Sequence, residues 1–365
     1  MNNSSSNLKK LISFNNRKIL IIHGSNSFKY FLDRSIIKNF LRNNKIQYFK
    51  KKKEYPEINE LKKLIIDYKK FKPDILISVG GGSVIDYLKL CVKLSNSKNI
   101  DRSIEKNLIH SKKKTFISSY ITTAGSGAEC TKFSVVYKKS KKFSYVGEHV
   151  LRNHYIYDRE AVKNLPKKLR ASCAFDTFAQ CFESLLSLSS NNQSIKYASK
   201  GLAQSNKCLI DYVTKPNNLN VSKMIRATIY SGKAINISKT NAPHAFSYPF
   251  TYFFGINHGS AVALNFLQII DYMHKKKNFS KNKNYIEKRF KLIFKILDVK
   301  NFRSLKKKLK NILVKCKIQK KNLIKKSKIN NNLFKIINNI NIERLSNCPV
   351  TICRADMIKI VKKFD

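Results

Sequence analysis

Apolar residues in the first third of the chain form short blocks, separated by stretches in which they recur every three or four positions. KILIIH at 18–23 is a β-branched run ending in Gly24-Ser25-Asn26-Ser27, which predicts a buried strand and a turn. Phe31, Ile36, Ile37, Phe40 and Leu41 then fall at helical spacing, as does the segment Leu61 to Phe71. Pro73-Asp74 breaks that pattern before a second apolar run, ILISVG at 75–80. A third run, Thr115 to Ile121, leads into TTAGSGAE, and FSVVY at 133–137 predicts a further strand. Strand and helix alternate, the pattern of a parallel sheet with crossover helices.

Beyond Leu165-Pro166 the strand signal fades. Helical spacing predicts helices over 169–188, 194–213, 221–237, 259–273, 284–297 and 302–315, with breaks at Pro216, Pro243, Pro249 and Gly255. The expected architecture is an α/β domain over residues 1–165 followed by an all-helical domain over 166–365. Residues 316–340, rich in Lys, Asn and Ile, are low in complexity, and 275–345 as a whole show no clear period.

Composition adds one large number. The 365 residues carry 73 basic and 22 acidic side chains, a formal net charge of +51. With 42% hydrophobic and 11% aromatic residues the chain is no disordered basic tail, since it has the apolar content to repay chain entropy. Clustered Lys and Arg would suggest a nucleic-acid partner. Here Lys is spread along the chain together with Asn and Ile, which share A/T-rich codons, so the charge reads as surface drift and argues against nucleic acid. The dense basic stretch Lys315 to Lys328 reads as a solvated helix face. No apolar run approaches the roughly 18 residues of a membrane span, and the start has no apolar signal-peptide core. The 8 cysteines form no CxxC pair. A reduced, cytoplasmic protein without membrane attachment is expected.

Candidate chemistry gathers in two places. Gly80-Gly81-Gly82-Ser83 follows a strand and opens a helical pattern, where bare backbone N–H groups and a helix N-terminus suit a dinucleotide pyrophosphate. Thr122-Thr123-Ala124-Gly125-Ser126-Gly127 is a second small-residue loop after a strand, and neither loop fits G-x-G-x-x-G. Farther on, Asp176 lies in the helix-compatible run ASCAFDTFAQCFES, sharing a face with Gln180 one turn later. A carboxylate on an apolar helix is costly to bury unless a cation compensates it. His244 in APHAFSYP and His258 in GINHG complete a candidate three-ligand site for Zn²⁺ or Fe²⁺. The remaining histidines, His23, His110, His149, His154 and His274, have no such setting, and His149 and His154 are expected to be surface or loop residues.

Four segments, GGGSVIDYLK (80–89), TTAGSGAECT (122–131), AFDTFAQCFES (174–184) and APHAFSYPFTYFFGINHGSAVAL (242–264), together resemble the iron-containing, or group III, alcohol dehydrogenases. The resemblance implies the dehydroquinate synthase-like fold of that family, an N-terminal dinucleotide-binding α/β domain and a helical metal-binding domain. It implies that Gly80, Gly81, Gly82, Ser83 and Asp86 hold the cofactor, with Thr122, Thr123 and Lys142 around it. It puts Asp176, His244 and His258 at metal-ligand positions. Two departures stand out: Gln180 and Tyr248 occupy positions where the family commonly has histidine. Gln180 is therefore either a weak ligand or a hydrogen-bonding neighbour of one, and Tyr248 either donates to an alkoxide or fills space.

The run GKAINISKTNAPHAFSYPFTYFFGINHG is most similar to the branch that reduces phosphonoacetaldehyde to 2-hydroxyethylphosphonate. Lys239, five positions before His244, would then meet the phosphonate of a small anionic aldehyde. The cofactor is NADPH or NADH. NADPH is favoured because His23-Gly24-Ser25 offers no carboxylate to a ribose 2′-hydroxyl. The competing readings are a general dehydrogenase of the same family acting on another small aldehyde or hydroxy acid, and a catalytically degenerate basic binding protein. A homodimer is left open.

Overall fold

The computed structural model describes residues 4–24, 28–108, 115–139, 141–147 and 154–363. The chain divides into two compact units, one formed by residues 1–123 and 128–164, the other by 124–127 and 165–365.

The first unit is built on a five-stranded parallel sheet in the order β2-β1-β3-β4-β7, from Lys18–His23 (β1), Lys45–Lys50 (β2), Ile75–Gly80 (β3), Phe116–Ile121 (β4) and Tyr155–Tyr157 (β7). β1 and β3 are almost wholly buried, which is why their sequences are continuous apolar runs rather than alternations. The helices Phe28–Leu32, Ser35–Arg42, Ile58–Phe71 and Gly82–Leu94 carry the crossovers. β1 connects to β2 on one side and β3 pairs with β1 on the other, so the strand order reverses between β1 and β3. In open α/β sheets that reversal marks a crevice at the carboxyl ends of the strands.

The run at 133–137 does not join this sheet. Phe133–Lys138 (β5) pairs antiparallel with Lys141–Val146 (β6) in a separate hairpin. Three strands escaped the sequence reading: β2 sits at a sheet edge with little apolar character, β6 is the second arm of the hairpin and opens on two lysines, and β7 has only three residues.

The second unit is helical, with long helices at Lys167–Leu186, Asn192–Thr214, Asn218–Ser238, His258–Lys276, Lys283–Leu297 and Phe302–Lys315. Thus an α/β unit is followed by a helical one, as expected. One further helix, Ala242–Phe254, runs through the segment read from sequence as broken by Pro243 and Pro249. Pro243 falls in its first turn, where a missing N–H costs nothing. Pro249 lies inside and deprives the Ala245 carbonyl of its i+4 donor, and the backbone N–H of Asn341 donates to that carbonyl instead at 3.3 Å. A tertiary contact thus completes the helix that local sequence would end.

The basic coat also has exceptions. Lys320, within the stretch expected to be a solvated face, is only 5% exposed and donates to Asn265 Oδ1, the Val361 carbonyl and the Lys363 carbonyl. It caps the C-terminal helix Arg354–Lys362, which needs a cation there more than the surface does. Lys89 is fully buried and donates to the carbonyls of Ala128, Thr131 and Phe133. His154 is half-buried rather than exposed, edge-on to Phe116 and hydrogen-bonded to Ser118. His110 and His149 lie outside the described residues. No described helix is long and apolar enough to cross a membrane.

Candidate functional site

In the first unit the chemistry is carried by backbone. Gly80 ends β3 at φ 154°, a region that excludes side chains, and Gly81 is the N-cap of the helix Gly82–Leu94. A Cβ on Gly81 would lie 2.7 Å from Thr123 Oγ1, so glycine keeps open the space between the turn and the end of β4. The first N–H groups of that helix have no acceptor within it, and its dipole adds positive potential. Thr122 Oγ1 is buried without a hydrogen-bond partner among the described residues. A small-residue cradle, a helix N-terminus and an orphaned hydroxyl fit a pyrophosphate and its sugar.

Asp86 and Lys142 also come together here. Burial raises the Asp86 carboxyl to about 6, while Lys89, the Val135 backbone, Lys142 and Lys93 pull it down. At the end of β1, His23 stacks on Phe28 with ring centres 3.9 Å apart, and burial lowers its pKa. Its register partner on β2 is Lys50. Ser25 lies outside the described residues.

In the second unit three helices converge. Asp176 is on Lys167–Leu186, His244 on the proline-containing Ala242–Phe254, and His258 begins His258–Lys276. Each offers one ligand atom, and these atoms lie within 4.8 Å of one another. Such closeness requires the helices to touch. A Cβ on Gly259 would fall 1.9 Å from the Ser172 carbonyl oxygen and 2.9 Å from Asp176 Cβ, so only glycine lets the His258 helix start against the Asp176 helix. Ser172 Oγ accepts from the Ser260 N–H at 3.0 Å and caps that start.

Sequence reasoning missed Glu183, although it lies seven residues after Asp176, two helical turns along the same face. It is fully buried. Its Oε1 is 2.5 Å from His244 Nδ1, and its Oε2 accepts from the Asn241 and His244 backbone N–H groups at 2.9 and 3.3 Å. With Nδ1–H held by Glu183, His244 presents Nε2 toward Asp176 Oδ1, 3.1 Å away. A carboxylate behind a histidine fixes its tautomer and raises its basicity as a ligand. Burial lowers the His244 pKa, but Glu183 and Asp176 outweigh it and raise the ring to about 9. Burial would raise Asp176, yet His244, His258 and Gln180 hold it below the usual carboxylate range. A buried carboxylate and two imidazoles form a donor set that fits Fe²⁺ or Zn²⁺.

Gln180 donates through Nε2 to Asp176 Oδ1 at 3.2 Å, and its Oε1 accepts from the Ser231 hydroxyl. Tyr248 is buried with its ring stacked on His258, centres 6.0 Å apart at 14°. Its hydroxyl, pushed up to about 12 by burial and pulled back by Arg344, is hydrogen-bonded to that arginine. Arg344 is itself buried, on the short helix Ile342–Leu345 that Asn341 opens, and had no signal in sequence. Lys239 ends the helix Asn218–Ser238 at φ 58° and pairs with Glu343 at 3.0 Å; the two side chains are 37% and 55% exposed. Lys239 is thus engaged in a surface ion pair, the sort that contributes little to stability.

Comparison with known proteins bears on both units. The iron-containing alcohol dehydrogenase profile matches residues 1–159, and the C-terminal profile of the Fe-containing alcohol dehydrogenase family matches residues 170–364. The chain is 26% identical over 214 residues to the phosphonoacetaldehyde reductase of Streptomyces viridochromogenes, covering 56% of this chain and 54% of that one. It is also 26% identical over 218 residues to the sulfoacetaldehyde reductase of Bilophila wadsworthia, covering 57% and 54%. These matches span about half the length of the curated relatives. The iron-containing alcohol dehydrogenase of Thermococcus thioreducens superposes with a TM-score of 0.83 at 17% identity, covering 99% of this chain and 96% of that one, so the fold is shared. The chain belongs to the iron-containing alcohol dehydrogenase family.

Proposed function

We propose that this chain is a metal- and NAD(P)H-dependent alcohol dehydrogenase that reduces a small aldehyde. The observation that carries the reading is the cluster of buried Asp176 and His244 with half-buried His258, and Glu183 behind it, a constellation of ligands and support that packing alone does not require. When bound, the metal supplies Lewis-acid polarisation of the carbonyl oxygen and the nicotinamide the reducing equivalents.

The chain's own residues do the rest. Glu183 holds His244 in one tautomer, and Gly259 and Ser172 hold the backbone of His258 in place. Tyr248, fixed by stacking and by Arg344, is the group that gives a proton to the product oxygen. Gly80 to Ser83, with Thr122 and Thr123, hold the dinucleotide. Lys50 beside His23, and the lack of a carboxylate at Gly24, suit the 2′-phosphate of NADPH.

A narrower reading, reduction of phosphonoacetaldehyde to 2-hydroxyethylphosphonate, draws support from the buried Arg344 beside Tyr248 and from relatives named for phosphono- and sulfoacetaldehyde, and requires Lys239 to leave its surface pair with Glu343. Metal analysis of purified protein, with NADPH and NADH oxidation against phosphonoacetaldehyde, sulfoacetaldehyde, succinic semialdehyde and acetaldehyde, tests both. Metal-dependent turnover is expected, fastest with the phosphonate. Equal rates across the panel, or a Michaelis constant for phosphonoacetaldehyde untouched by Lys239→Ala, would remove the phosphonate anchor. A metal-loaded protein inactive on every aldehyde, with steeply salt-dependent DNA binding, would favour the degenerate binding protein instead.

A further inference from the structure

We propose that Gln180 is a positioning residue rather than a metal ligand, so that the centre takes three protein ligands, Asp176, His244 and His258. The inference rests on the metal-dependent reading above and narrows it.

Gln180 stands where a fourth ligand would stand, one turn after Asp176 on the same helix face. Only its amide oxygen is able to bind a metal, and that oxygen is engaged elsewhere: it accepts from the hydroxyl of Ser231, on the helix Asn218–Ser238. The amide nitrogen faces the cluster and donates to Asp176 Oδ1 at 3.2 Å. Exchanging the two amide atoms would set the amide oxygen against a carboxylate oxygen at that same distance, two acceptors with no proton between them. The acceptor-only Asp176 carboxylate selects the observed orientation, and the Ser231 hydroxyl, which is able to donate, completes it. All four groups, Asp176, Gln180, Ser231 and His244, are buried, where a misdirected amide is costly.

The pair therefore works on the carboxylate. An N–H bond to Asp176 Oδ1 fixes the rotation of the carboxyl group. Hydrogen bonds to ligating carboxylates and histidines of this kind typically govern metal affinity by 10–100-fold. A centre with two histidines and one carboxylate leaves more positions for solvent and substrate oxygens than a four-ligand centre would.

The test uses metal-free full-length protein reloaded with Co²⁺, whose visible absorption reports the ligand set, and chelator competition for affinity. Gln180→Leu is expected to keep the wild-type cobalt bands while weakening affinity roughly 10–100-fold. Gln180→His, which supplies a fourth nitrogen, is expected to shift them. Ser231→Ala is expected to weaken binding too, because the amide loses the hydroxyl that aims it. If Gln180 were a ligand, Gln180→Leu would shift the bands, and Ser231→Ala would tighten binding by freeing the oxygen. Either result overturns the proposal and leaves the metal-dependent reading standing. Should Gln180→Leu fail to fold, the sign of the Ser231→Ala effect decides alone. A wild-type protein that takes up no cobalt overturns both.

Discussion

The glycine-rich turn of the first unit and the candidate metal cluster of the second would each hold a ligand, by opposite means. The turn is local: four consecutive residues, Gly80 to Ser83, supply bare backbone at the end of one strand and the start of one helix. The cluster is assembled from Asp176, His244 and His258, which span 258 − 176 = 82 positions and sit on three helices. Backbone donors are present whatever the side chain, and glycine only clears the way to them. Side-chain ligands must be aimed, so each needs a second residue to hold it. Glu183 does this for His244, and Gly259 with Ser172 seats the start of the His258 helix.

Substitutions should therefore act differently in the two places. His258→Ala removes one of the three proposed ligands, and activity should fall by roughly 10³-fold or more, the scale of several kcal/mol of lost charge stabilisation. Metal content measured beside kcat/KM checks this, and a fully metallated, active variant would contradict it. Gly259→Ala sets a methyl group against the Ser172 carbonyl, and should cost about 1–3 kcal/mol or more of stability. A lowered Tm together with lost metal is the expected pair of observations; an unchanged Tm would mean the helices separate freely. Glu183→Gln keeps shape but removes the charge behind His244, and metal affinity should drop roughly 10–100-fold with Tm little changed. Equal affinity in chelator competition would show that the tautomer is set elsewhere.

The smallest effect is expected at the turn. Gly81→Ala brings a methyl group to 2.7 Å from a threonine hydroxyl, a side-chain atom with some freedom to yield. NADPH binding, read by nucleotide fluorescence, should weaken by no more than about tenfold, one step of roughly 1.4 kcal/mol. A loss as large as that at His258 would erase the distinction between backbone and side-chain sites.

The same distinction explains what was legible in the sequence. Asp176, His244 and His258 could be picked out as candidate ligands, because a carboxylate on an apolar helix asks for compensation and the motifs that resemble the family put all three at metal-ligand positions. The helix that carries His244 was not visible. Pro243 and Pro249 read locally as breaks, and only the Asn341 N–H, arriving from far along the chain, supplies the donor that Pro249 lacks. Glu183 had the right spacing, but nothing local separates a carboxylate that holds a ligand from one that faces solvent. Lys320 and Lys89 could not be told from the rest of 73 basic residues until burial and carbonyl partners singled them out.

By itself the sequence determined the order of the two architectures, the apolar strands β1, β3 and β4, the glycine turn and the ligand types. Each of these depends on periodicity or on the chemistry of a residue and its near neighbours, which the chain carries wherever it goes. Tertiary structure alone decided the atoms: which nitrogen of His244 faces Asp176, which end of the Gln180 amide meets it, and that Lys239 pairs with Glu343. The first two choices are set through hydrogen bonds with strict donor and acceptor roles in places water does not reach, and the third is made at the surface. Of the basic residues behind the +51 charge that dominates the composition, burial singles out a few, Lys89, Lys93, Arg170, Lys320 and Arg344.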